Sequence, residues 1–154
     1  EDIYGAVPNL KVLVLIRNPM EYILSAHSKR VFRKDDIWDR TRLIPLEMAN
    51  EFPDIPLAEK ICWHWVTVNR YLLEFVEANK NVVQLTILKD LTEQIQSISN
   101  FLEVTITDPK GLDDFLASKP NASELNEIPS GYNVNRLESI YSRVWEKANR
   151  LKSF

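Results

Sequence analysis

Apolar residues follow two patterns along this chain. Two short runs are continuous and rich in β-branched residues, Val12 to Ile16 and Val82 to Leu88. That composition suits strands buried on both faces of a parallel sheet. Elsewhere apolar residues recur at spacings of three and four, which marks helices with one apolar face. The longest such stretch runs from Leu57 to Asn79, where Leu57, Ile61, Trp65, Val68, Leu72 and Val76 share a face. Cys62, Trp63 and Phe75 widen it, so the helix is expected to be well buried. Pro56 or Leu57 begins it, and Asn79-Lys80-Asn81 ends it.

A second amphipathic helix is expected over Asn135 to Lys152, with Leu137, Ile140, Tyr141, Val144, Trp145 and Ala148 on its apolar side. Arg143, Lys147, Arg150 and Lys152 make its end basic, which complements the helix dipole. The same cations also fit a phosphate or a partner surface. Asp90 with Glu93 reads as an N-cap and N3 pair, opening a helix through Ile95, Ile98, Phe101 and Leu102. Gly111 to Ala117 predicts a brief helix, and Val104 to Asp108 a loop or minor strand. Strand, helix and strand in this order predict a βαβ-type crossover with parallel strands, its long connection leaving room for others between them. The expected fold class is α/β, a parallel sheet flanked by helices, in a single domain over residues 1–154.

The junction at the end of the first run carries the most chemistry. The strand stops at Arg17. Asn18 then reads as a helix N-cap, Pro19 as N1 and Glu21 as N3. Free backbone N–H groups and the positive end of the helix dipole face the same spot as the guanidinium, which suits an anion. Ser25 lies about 9 Å along the helix from Pro19, at ~1.5 Å per residue. A phosphate held between Arg17 and the Ser25 hydroxyl fits this spacing. So does a plain corner, in which the arginine solvates the strand end and the serine packs within the helix. Ile23, Leu24 and His27 are placed on the inner side. His64 reads as a packed or half-exposed histidine rather than a base. Lys29, Arg30, Arg33 and Lys34 form a basic cluster that fits either a solvated helix end or the wall of a site.

Composition narrows the field. Over 154 residues the formal net charge is −3, which implies no general nucleic-acid partner. One cysteine, Cys62, excludes an internal disulfide framework and a Cys-based zinc site, and no metal is expected. There are three glycines and no Gly-rich phosphate loop. No apolar run has the length of a membrane span, and no targeting segment opens the chain, so a cytoplasmic location is expected. Asn121-Ala122-Ser123 matches an N-glycosylation acceptor and equally an ordinary loop.

Arg17-Asn18-Pro19, with Ser25 eight residues after the arginine and a hydrophobic strand before it, resembles the 3′-phosphate-binding segment of sulfotransferases that use 3′-phosphoadenosine 5′-phosphosulfate (PAPS). The lead-in Pro8-Asn9-Leu10-Lys11 looks like the family's approach to that strand. Trp65 to Phe75 resembles the family's helix before the next strand. Leu88-Lys89-Asp90-Leu91 stands where many members have Tyr-Glu-Asp-Leu, and Phe101-Leu102 matches a following Phe-Leu pair. Leu88 departs from the aromatic that, in some members, lies near the adenine. Lys119-Pro120-Asn121-Ala122-Ser123 is loosely similar to a segment closing over the nucleotide. The Arg-Lys-Gly segment of the soluble small-molecule branch is absent, which points to another branch.

The resemblance implies a P-loop nucleoside-kinase-like fold, incomplete at the N-terminus, and a nucleotide cosubstrate, PAPS, whose 3′-phosphate is held by Arg17 and Ser25. It implies transfer of a sulfuryl group to a hydroxyl or amine acceptor. The family's 5′-phosphosulfate loop, with its leaving-group lysine, and the usual base precede the strand that opens this chain, so no catalytic residue is assigned. The expected protein is therefore the C-terminal part of a sulfotransferase domain, inactive alone. Its uncovered sheet surface leads us to expect self-association as a homo-oligomer. A non-catalytic α/β interaction domain, or a degenerate relative, is the alternative. A P-loop kinase fragment would need a lid with several arginines, which Arg30 and Arg33 match poorly.

Overall fold

The computed structural model describes residues 7, 9–29, 45–48, 50–52, 54–118 and 129–152. The expectations placed on Glu1 to Tyr4, Pro8, Arg30 to Lys34, Trp38 and Lys119 to Ser123 lie outside those residues. The protein is α/β and mostly helical. Strand β1 (Val12–Ile16) is followed by α1 (Pro19–Ser28), a 3-10 turn at Leu46–Met48, and α2 (Leu57–Ala78). Then come β2 (Val83–Ile87), a 3-10 turn at Leu88–Asp90, α3 (Leu91–Leu102), α4 (Pro109–Ala117) and α5 (Val134–Leu151).

The two strands pair in parallel as direct neighbours, Val12 opposite Val83 through Ile16 opposite Ile87. Among the described residues no further strand lies between them. Val14, Ile16, Val83, Leu85 and Ile87 point into one core with Ile23 of α1, Ile61, Trp65 and Leu73 of α2, and Leu137 and Ala148 of α5. Their shared removal from water is the main stabilising term, at roughly 25 cal/mol per Å² of apolar surface.

β1 departs from the expected two-sided burial. Leu15 is 44% exposed on the opposite face from Val14 and Ile16. Its register partner, Thr86, is buried, and the Thr86 hydroxyl finds no hydrogen-bond partner. Alternation of side chains puts Leu13, Leu15, Gln84 and Thr86 on this second face, where Thr86 is buried, Leu13 and Gln84 are half-buried and Leu15 is exposed. The Gln84 amide donates to the Ser97 hydroxyl of α3 at 3.4 Å.

α2 takes the bounds its periodicity predicts. Leu57, the first residue of the predicted stripe, is exposed, while Ile61, Trp65 and Val76 are buried. α5 docks along α2, and its cations serve that docking: Lys147 pairs with Glu77 at 2.7 Å and Arg136 with Glu59 at 3.2 Å. Asp90 does not cap α3 with its side chain. Its carboxylate instead accepts from Lys152 Nζ at 2.7 Å, tying the end of α5 to the turn after β2. The stretch after α3 forms no strand, because Val104 N–H bonds back to the Ser99 carbonyl and closes the helix end. No helix among the described residues is long and apolar enough to cross a membrane.

Candidate functional site

The corner between β1 and α1 forms as the local sequence dictates. Asn18 Oδ1 accepts from the Met20 N–H at 2.9 Å and the Glu21 N–H at 3.3 Å, and Pro19, at N1, has no N–H to satisfy. Tyr22 N–H bonds to the Asn18 carbonyl. The first-turn donors, expected to be free for an anion, are thus taken by the cap. What remains for a ligand is the positive end of the helix and Arg17.

Arg17 stands directly after the strand. Its Nε contacts Glu21 Oε2 at 3.5 Å, one turn along α1. That contact is an ion pair without hydrogen-bond geometry, and the buried Nε has no hydrogen-bond partner. The backbone of Arg17 is pinned separately: Trp65 of α2 donates its indole N–H to the Arg17 carbonyl at 3.1 Å. Trp65 is itself held edge-on by Tyr141 and Trp145 of α5, with ring centroids 6.3 and 6.2 Å away. The corner therefore rests on an edge-to-face aromatic group rather than on its own loop.

Ser25 is buried two turns into α1, and its carbonyl accepts from the Ser28 hydroxyl and the Lys29 N–H. Arg17 engages Glu21, and Ser25 takes no part in that ion pair. Beyond Ser25, a hydrogen bond joins the Tyr132 hydroxyl to His27 Nδ1, with the two rings edge to face. Burial pushes the Tyr132 hydroxyl above its ordinary range, so it keeps its proton and suits the donor role. This link fastens the end of α1 to the turn before α5. His64 is half-buried, and its ring lies 6.4 Å from that of Tyr22.

A cavity of about 190 Å³ opens beside Arg17, with Leu15, Tyr22, His64, Trp65 and Leu72 among its walls. It is largely apolar, with Arg17 at one end. Leu88, where the resemblance looks for an aromatic, lies exposed in the turn after β2. Cys62 is buried, with its thiol directed at the Leu137 carbonyl at 3.7 Å. Burial, then the nearby Glu59 carboxylate, push that thiol up to about 12, against a small opposing pull from Arg136. It is a packing group with no accessible thiolate. Among the described residues, no group of three or more His, Cys, Asp or Glu side chains is placed to hold a metal ion.

Two contributors to this corner escaped the sequence reading. The Arg17–Glu21 spacing of four allows an ion pair on a helix, but the position of Glu21 at N3 points first to a cap residue. The Trp65–Arg17 bond spans 48 positions and left no local signal. No protein-family model, curated protein or solved structure matches the chain.

Proposed function

We propose that this chain is the 3′-phosphate-binding part of a PAPS-dependent sulfotransferase of P-loop kinase-like fold, with Arg17 and Ser25 as the cofactor-binding residues. The observation that supports this reading is the position of Arg17. It sits at the carboxyl end of a parallel strand, immediately before a capped helix N-terminus, with its backbone fixed by Trp65. Ligands of open α/β sheets bind outside the carboxyl ends of the strands, and a guanidinium there matches a phosphate dianion. Binding would proceed by exchange, the phosphate oxygens taking over from the Glu21 carboxylate at Arg17. Sulfuryl transfer to a hydroxyl or amine breaks the bond to the nucleotide's 5′-phosphate, so charge develops on that leaving group. Positioning and cationic stabilisation then carry the catalysis. Arg17 anchors the nucleotide, and no residue of this chain is assigned to the transfer step.

One observation favours a second reading, a non-catalytic interaction domain: Glu21 already satisfies the charge of Arg17. Calorimetric titration separates the two. The enzyme reading expects weak binding of 3′-phosphoadenosine 5′-phosphate, lost in Arg17→Ala, because a charge-assisted contact contributes ~1.5–3 kcal/mol. Equal affinity for adenosine 5′-phosphate, which lacks the 3′-phosphate, would overturn it.

A further inference from the structure

We draw no further inference here: the strongest candidate, the largely apolar cavity between β1, α1 and α2 walled by Leu15, Tyr22, Val68 and Leu72, belongs to the Arg17 corner already described, and nothing in the structure shows what covers it.

Discussion

The indole of Trp65 and the carbonyl of Arg17 are joined by a hydrogen bond of 3.1 Å, which makes the candidate anion corner a dependent of α2. Trp65→Phe keeps most of the buried ring area but removes the donor. The Arg17 carbonyl then loses its partner at a half-buried position. We expect a loss of about 1–2 kcal/mol in urea unfolding. We also expect weaker binding of 3′-phosphoadenosine 5′-phosphate, beyond what Tyr141→Phe causes at the far side of the same aromatic group.

Glu21 competes with any anion for Arg17. The pair is solvent-exposed on the Glu21 side and lacks hydrogen-bond geometry, so it contributes little to stability. Glu21→Gln should therefore leave the unfolding midpoint nearly unchanged. It should tighten binding of 3′-phosphoadenosine 5′-phosphate several-fold in calorimetry, because removing the carboxylate frees the guanidinium and lifts a repulsion. Unchanged or weaker binding would show that Arg17 is not the phosphate contact.

Lys152 and Asp90 lock the end of α5 to the turn after β2 across 62 positions, at 2.7 Å and with both side chains largely shielded. Lys152→Ala leaves a half-buried carboxylate without its cation and α3 still without a side-chain cap. The expected cost is about 1–2 kcal/mol in chemical denaturation. It should respond less to added salt than the loss of Lys11, whose partner Glu103 is exposed. Lys152→Met, which keeps the stem, should fall between Ala and wild type if packing of that stem matters.

The elements were legible because local signals agreed. Val12–Ile16 and the start of α1 were fixed by a β-branched run and an Asn-Pro cap, and α2 and α5 by long apolar stripes. What local pattern could not show was who would use each polar group. Asp90 has the spacing of a cap, but Lys152 arrives from the end of α5 and takes its carboxylate. Asn18 has the signature of a cap, yet the consequence, that it occupies the N–H groups an anion would want, follows only from the closed geometry. The partial exposure of β1 escaped for a related reason. A run of apolar residues reports what a strand can bury, and the neighbours it lies against decide how much it does bury.

Burial holds the Cys62 thiol up to about 12, against an ordinary value of 9.0. Between those values the unfolded chain has released the proton and the folded protein still holds it. Stability contributed by this group is therefore fully present below about pH 9 and falls as pH rises toward 12, by at most ~1.4 kcal/mol per pH unit. Burial raises Tyr132 and Tyr141 in the same direction, so they add to the fall above pH 10. Unfolding free energies at pH 8 and pH 10 should differ less in Cys62→Ala than in wild type, although the variant is less stable at both because it leaves a small cavity. The thiol should also resist a disulfide reagent in the native protein and react at the rate of unfolding. Rapid labelling in native buffer would mean that Cys62 is reachable without opening the contact between α2 and α5.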